Sequence, residues 1–337
     1  MTSSPQSTAG PDRPAAPGFA DIVAAADRLK GQAVVTPLLE SPALDAEVGG
    51  RVFLKAETLQ RTGSFKFRGA FNCISRIPAA QRGAGVVAYS SGNHAQGVAA
   101  AAEILGVPAT IVMPADAPAI KVDNTRGYGA EVVFYDRHGE SREEIAETLA
   151  AAKGARIVRP YDDPAIIAGQ GTCGLEIAEQ TADRGVALDA LLVCCGGGGL
   201  VAGSALALAE RSPATRVFCV EPEGFDDTGR SLAAGRRVSN APGGESLCDA
   251  LLAPTPGELT FAINRRLLAG GLAVSDDEVA RAVAYAFRTL KLVVEPGGAV
   301  ALAAVLAGRY DARGKAVAVT LSGGNVDSEL YCAVLGR

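Results

Sequence analysis

From residue 19 onward, strand-like and helical runs alternate, and three of the strand-like runs stop at clusters of Gly, Ser and Asn. The β-rich runs are RVFLKAE (51–57), GVVAYSS (85–91), ATIVMP (109–114), EVVFYD (131–136), ALLVCCGGGG (190–199), RVFCVEP (216–222) and KAVAVTLSGGN (315–325). Between them lie runs with helical spacing, among them SFKFRGAFNCISRI (64–77), with Ser64 or Thr62 as its cap, HAQGVAAAAEILG, SREEIAETLAAAKG and LVAGSALALAE. Strands separated by helices of ten or more residues imply βαβ units and parallel sheets covered on both faces. The fold class expected is therefore α/β. Ligands in such folds sit at the carboxyl ends of strands. SSGNH, GGGG and SGGN stand at three such ends, and three on one chain say more than any one alone.

The remaining composition narrows the function. A length of 337 residues fits two domains or one large one. Thirty-two basic against 37 acidic residues leave a net charge of −5, which argues against a general electrostatic grip on nucleic acid. No apolar run is long enough to span a membrane. Only His94 and His138 are available as imidazoles, so a zinc site of several His ligands is disfavoured and a Ser-His-Asp triad would have to use one of these two. The seven cysteines include no C-x-x-C pair and read as reduced, packed thiols. Residues 1–18, rich in Pro, Ser, Ala and Gly and without an apolar signal core, are expected to form a disordered tail. The cytoplasm is then the default location.

Five segments carry chemistry. In LQRTGSFKFRGA (59–70), Lys66 lies between Phe65 and Phe67 early in a helix. An apolar setting lowers a lysine pKa and suits a Schiff-base nucleophile; on spacing alone a solvated Lys66 serves equally well. CCGGGGL (194–200) leaves backbone N–H groups free at a helix start, a natural cradle for phosphate. The same stretch admits a rival reading. GGGLVA (197–202), with Glu221 about twenty residues on, fits a dinucleotide fingerprint and so a nicotinamide-dependent dehydrogenase. SSGNHAQG (90–97) sets hydroxyls, an amide and an imidazole where a carboxylate could bind, or supplies only a helix cap. TLSGGN (320–325) offers a serine to a ring nitrogen, or is an ordinary turn. EPEGFDD (221–227) offers Glu221 and Asp227 to a hard cation, or two solvated acids.

Taken together and in this order, the segments resemble the fold-type II pyridoxal-phosphate enzymes, in the branch of the serine/threonine dehydratases and serine racemases. The matching blocks are GSFKFRGA, SSGNHAQG, IAGQGT (167–172), GGGGL and LSGGN, and the likeness runs from TPLLES (36–41) to SGGNVD (322–327). The resemblance implies a tryptophan-synthase-β-like fold of two lobes, each with a mainly parallel sheet. The larger lobe, 19–84 and 163–337, would bind the cofactor; the smaller, 85–162, would be mobile. It implies pyridoxal 5′-phosphate as cofactor, with Lys66 as its Schiff-base lysine and Phe65 packed on its ring. Asn93 would bond the 3′ oxygen, Gly196, Gly197, Gly198, Gly199 and Leu200 the phosphate, and Ser322 the pyridine nitrogen. Ser90, Ser91, Asn93 and His94 would bind the substrate carboxylate, with Arg142 nearby. Glu221, Asp227 and the carbonyl of Phe225 would form a cation site, for Mg²⁺ or another divalent ion.

The activity so implied is β-elimination of L-threonine, L-serine or a related β-hydroxy amino acid, giving a 2-oxo acid and ammonia. 3-Hydroxyaspartate dehydration and serine racemisation are the alternatives. Ser91 keeps racemisation open, since in racemases a serine here is the acid/base opposite the lysine. The run Ala250-Leu251-Leu252-Ala253 departs from the racemase pattern, while Tyr161 in RPYDDP looks dehydratase-like. A small amino-acid substrate, a homodimer, and neither nucleic acid nor membrane as partner complete the expectation.

Overall fold

A computed structural model describes residues 15–117 and 119–336. The expected tail lies largely outside them; the first helix begins at Phe19. Ten strands follow the chain: β1 (Leu38–Glu40), β2 (Arg51–Ala56), β3 (Val86–Tyr89), β4 (Ala109–Pro114), β5 (Glu131–Tyr135), β6 (Arg156–Ile157), β7 (Ala190–Cys194), β8 (Arg216–Pro222), β9 (Gly270–Val274) and β10 (Ala316–Leu321). They form two sheets. One has six strands in the order β1-β2-β10-β7-β8-β9, and the other has four in the order β5-β4-β3-β6. All pairings are parallel except β1 with β2.

The α/β expectation therefore holds, and its physical basis is visible along the strands. β2, β3, β4, β7, β8 and β10 are buried almost throughout, as parallel strands covered on both faces must be. The six-stranded sheet packs one face on the helix Pro296–Leu306, whose first ten residues are all buried. The other face packs on the helices Pro164–Ala182 and Gly199–Arg211.

Those last two helices lie unusually close, and glycine is the reason. A Cβ on Gly171 would come within 2.8 Å of the Gly203 carbonyl oxygen, and one on Gly174 within 2.5 Å of the Ser204 Cα. A Cβ on Gly169 would meet the Arg68 carbonyl oxygen at 2.6 Å. Glycine inside a helix costs about 1 kcal/mol relative to alanine; here it lets three helices approach at backbone distance. The close packing fixes the helix that carries Lys66 against the one that begins at the glycine loop.

Candidate active site

The segment after β2 does not run straight into its helix. Thr62 has φ 64° and Gly63 φ 70°, and any side chain on Gly63 would stand 2.7 Å from Asn325 Oδ1. Ser64 is extended and bridges Gly323. The Phe65 N–H donates to the Ser322 carbonyl at 3.1 Å. Neither expected cap is therefore used: the helix Lys66–Ser75 starts at Phe65 with no side-chain cap. The turn is instead tied to the carboxyl end of β10, which brings Ser322 beside Phe65 and Lys66.

Lys66 is half-buried, and its Nζ donates to the Pro160 carbonyl at 2.9 Å and lies 5.2 Å from the Phe65 ring centroid. Burial disfavours the ammonium and lowers its pKa to about 8, although the neighbouring Glu295 acts the other way. This is the lysine environment expected of a Schiff-base nucleophile.

β7 leads into Gly196 to Gly199, where the helix Gly199–Arg211 begins. Each of three glycines here is crowded. A Cβ on Gly197 would lie 2.3 Å from the Tyr161 ring, on Gly198 2.8 Å from Asn264 Nδ2, and on Gly199 2.5 Å from Gln170 Oε1. Gly198 also has φ 88°. Thr260 Oγ1 pins the loop by donating to the Gly197 carbonyl at 2.8 Å. A helix start that opens on glycine, its N–H groups turned to a cavity rather than covered by side chains, suits a phosphate.

The third strand end, after β3, opens the helix Asn93–Leu105. Asn93 is held at both ends of its amide: Nδ2 donates to Glu295 Oε1 at 2.5 Å, and Oδ1 accepts from Asn325 Nδ2 at 2.8 Å. His94 Nε2 lies 2.9 Å from the Val158 carbonyl. A carbonyl only accepts, so Nε2 carries the proton and Nδ1, buried without a partner among the described residues, is a bare acceptor. Burial and the Lys66 charge push the imidazole pKa down to about 3. The histidine is thus neutral, and its one N–H is already engaged.

One cavity gathers these pieces. Its wall takes Phe65 and Lys66 from the lysine turn, Gly196 to Leu200 from the glycine loop, Ser90, Ser91, Asn93 and His94 from the third strand end, and Ser322 from β10. Arg142 stands at the edge, 46% exposed and paired with Glu143 at 2.9 Å. Residues that the motifs did not single out also line it, among them Glu295, Lys121, Asp249 and Gln170. Glu295 is buried, and burial raises its pKa to about 8. Its one sequence signal is an acid inside the apolar run LVVEPGGAVALAAVL.

The profile of the family described as "Pyridoxal-phosphate dependent enzyme" matches residues 29–323. The chain belongs to that family. It is 48% identical over 318 residues to an L-threo-3-hydroxyaspartate ammonia-lyase of Pseudomonas sp, covering 94% of this chain and 98% of the relative. A serine racemase of Schizosaccharomyces pombe is 41% identical over 322 residues, 95% of this chain and 98% of the relative. Among solved structures, a threonine deaminase of T.th. superposes with a TM-score of 0.86 at 46% identity, covering 92% of this chain and 99% of that one.

Membership makes pyridoxal phosphate the cofactor, and the residues present fit it. A lysine amine of lowered pKa, a side-chain-free N–H cradle and a serine beside the lysine turn stand in one cavity. The dinucleotide alternative fails on Glu221, whose carboxylate accepts from the Thr228 and Gly229 N–H groups at 3.0 and 2.8 Å rather than facing a ribose site.

Glu221, Phe225 and Asp227 are not among the cavity's lining residues. Among the described residues, no group of three or more His, Cys, Asp or Glu is placed to hold a metal. Burial, with Asp227 nearby, raises the Glu221 pKa to about 8, and burial raises Asp227 to about 6. Asp227 Oδ1 accepts from Asn240 at 2.7 Å, while Oδ2 is buried without a partner among the described residues. Phe225 donates its N–H to the Pro222 carbonyl at 3.0 Å in the same turn. An orphaned carboxylate oxygen beside a second acid fits a cation. No described helix is long and apolar enough to cross a membrane.

Proposed function

We propose that the chain is an ammonia-lyase that eliminates the β-hydroxyl of a β-hydroxy amino acid and releases a 2-oxo acid and ammonia. The observation that carries this reading is the meeting of Lys66, the glycine loop and the Ser90–His94 loop in one cavity. Pyridoxal phosphate, when bound, supplies an aldehyde that captures amines and a ring that withdraws electrons from Cα. Lys66 would hold the aldehyde, the N–H groups of Gly196 to Leu200 the phosphate, Asn93 the 3′ oxygen and Ser322 the ring nitrogen, with Phe65 against the ring.

Lys66 Nζ, when its amine is free, would accept the Cα proton. An amine with a pKa of about 8 is neutral in a far larger fraction near physiological pH than an ordinary lysine and is suited to that transfer. Ser90, Ser91 and the first N–H groups of the helix Asn93–Leu105 hold the substrate carboxylate, favoured there by the helix dipole. His94, with its proton engaged by Val158, shapes this loop and adds no positive charge.

Within the class, we rank 3-hydroxyaspartate first. Lys121, paired with Asp249 at 2.8 Å, and Arg142, paired with Glu143, both line the cavity, and exchange of either partner would give a second carboxylate a cation. The relative named for that substrate supports the ranking. The test measures 2-oxo acid and ammonia from L-serine, L-threonine and the 3-hydroxyaspartate diastereomers. Equal rates on all of them would remove the ranking, and no release from any would remove the lyase reading. Ser91, in the cavity wall, keeps racemisation as a second reading. Ser91→Ala should lower racemisation more than elimination, and equal loss of both rejects that role.

A cation held by Glu221 and Asp227 would neutralise two buried acids and brace the turn after β8. Closure of a lobe spanning 85–162, assembly as a homodimer, and a cytoplasmic location suited to its free thiols belong to the same proposal.

A further inference from the structure

Gln170 takes no part in the chemistry proposed for the cavity, yet it is the most unusual polar side chain near it. It lies in the helix Pro164–Ala182 and is 1% exposed. Among the described residues, neither its Oε1 nor its Nε2 has a hydrogen-bond partner. Buried primary amides are rarely left so, because each unmade bond keeps its full desolvation cost.

Its surroundings are specific. The carboxamide is wedged between two glycines on two different helices. A Cβ on Gly69, in the lysine helix, would stand 3.1 Å from its Cγ and 3.2 Å from its Nε2. A Cβ on Gly199, at the start of the helix after the glycine loop, would stand 2.5 Å from its Oε1. Gln170 also lines the cavity alongside Gly196 to Gly199. Asn264 supplies a contrast. It too is buried with both amide atoms unpaired among the described residues and lies close to Gly198, but it does not line the cavity.

We propose that Gln170 is a side-chain ligand of the cofactor phosphate: with its carboxamide turned by half a rotation, so that the nitrogen rather than the oxygen faces Gly199, Nε2 donates to a phosphate oxygen that the glycine loop holds through backbone N–H groups. This rests on the pyridoxal-phosphate reading of the site and deepens it. A backbone cradle recognises any anion of the right size. A buried amide reached from a third helix adds a directional donor and couples phosphate binding to the position of the lysine helix through Gly69. A side chain on Gly199 would collide with the amide, and one on Gly69 would crowd both the amide and the Ile166 carbonyl.

The experiment titrates the full chain, freed of cofactor, with pyridoxal phosphate and separately with unphosphorylated pyridoxal. Absorbance follows uptake, and borohydride reduction with peptide mapping locates the attachment. Gln170→Leu should weaken pyridoxal phosphate binding roughly tenfold to a hundredfold, as expected for losing a hydrogen bond to a charged group. Pyridoxal binding should change by less than about twofold, since that ligand never meets the amide. Gln170→Glu, nearly isosteric, should weaken pyridoxal phosphate more than Gln170→Leu at neutral pH and should recover relative to the unmodified chain, compared at each pH, as the pH falls and the acid protonates. Circular dichroism shows which variants fold; if Gln170→Leu does not, the pH recovery of Gln170→Glu decides the question. Equal loss of affinity for both aldehydes would make Gln170 a packing residue and overturn the proposal. Failure of the unmodified chain to take up either aldehyde at Lys66 would instead overturn the underlying reading of the site.

Discussion

Lys55 and Lys66 are eleven residues apart in one chain, and the structure treats their ammonium groups in opposite ways. Lys55 is fully buried, and its Nζ donates to the Thr36 carbonyl, Glu176 and Gln180 at 2.7, 2.6 and 2.9 Å. All three N–H positions are filled, one of them by a carboxylate. Lys66 is less buried, yet among the described residues it has one carbonyl partner, at 2.9 Å, and no ion pair. Its pKa falls to about 8. Burial alone therefore does not make a nucleophilic lysine. Withholding the compensating carboxylate does.

The contrast extends two residues along the same helix. Arg68 is 1% exposed and bridges Glu57, at 2.8 Å, and Glu176, at 2.6 Å, each carboxylate also taking a second bond from the guanidinium. The charges that surround Lys55 thus also clamp the base of the lysine helix. One region commits its acids to fixing the backbone; the neighbouring region leaves a lysine with no acid bonded to it among the described residues. The largest effect that tests this division is on chemistry. Lys66→Ala should lose covalent cofactor attachment and at least about four orders of magnitude in ammonia release, nucleophile and base being lost together. Lys55→Met should retain cofactor attachment at Lys66, read by borohydride trapping. Loss of attachment in both variants would erase the distinction.

Stability should respond in the reverse sense. Arg68→Met leaves Glu57 buried beside Thr36 and without its guanidinium, so unfolding in denaturant should be easier by about 3–5 kcal/mol. The pH dependence follows from the same acid. Burial pushes the Glu57 carboxyl up, but the Arg68 charge and hydrogen bonds outweigh it and hold its pKa below the ordinary 4.5. A carboxyl depressed on folding adds stability above its unfolded pKa and loses it as the pH falls through the folded value. Wild-type protein should therefore lose this contribution below about pH 4.5, and Arg68→Met should lack that acid-sensitive increment. An unchanged acid limb in the variant would show that the cluster does not brace the helix electrostatically.

The sequence makes the division partly legible. The three ligand-facing strand ends are marked by glycine and serine runs, because backbone must approach a ligand there. Lys66 is marked by its aromatic neighbours. The helix Pro164–Ala182 is harder to recognise, since Gly169, Gly171 and Gly174 argue against a helix when read one residue at a time; their reason is contact with other helices. β9 is masked similarly, with a Cβ on Gly271 only 2.5 Å from the Gly229 Cα. Glu295 shows only as an acid in an apolar run, and Gln170 carries no signal of its own beyond the block that contains it. Their significance comes from unpaired or shared atoms that only the assembled chain brings together. Lys55 and Lys66 are both flanked by apolar residues, and the sequence does not show which of them will be paired; their partners lie 94 to 125 positions away for all but one bond.

The lysine's own titration sharpens the comparison next. A pKa near 8 leaves roughly a tenth of Lys66 neutral at pH 7, against less than about a thousandth for an ordinary lysine. Cofactor capture by the stripped chain should accelerate with pH and level off above about 8. Because folding lowers this amine's pKa, the unfolded chain binds more protons between about 8 and 10.5, so the stripped protein should gain stability across that window. A capture rate still rising steeply at about pH 10 would restore Lys66 to an ordinary ammonium.

The smallest expected effect isolates the one acid that Lys66 does feel. Glu295 is buried, accepts a hydrogen bond from Asn93 Nδ2, and opposes the lowering of the lysine pKa without bonding to Nζ. Glu295→Gln keeps the shape and removes that opposing charge. The midpoint of the capture profile should move to lower pH by less than about one unit. The same variant weakens the hold on Asn93, because a neutral acceptor replaces a carboxylate where the charge is present. A downward shift in midpoint with slower capture on the plateau would separate the two roles of Glu295, electrostatic for the lysine and positional for the amide. An unmoved midpoint would mean that Glu295, its own pKa raised by burial to about 8, is protonated where Lys66 titrates and offers the lysine no charge.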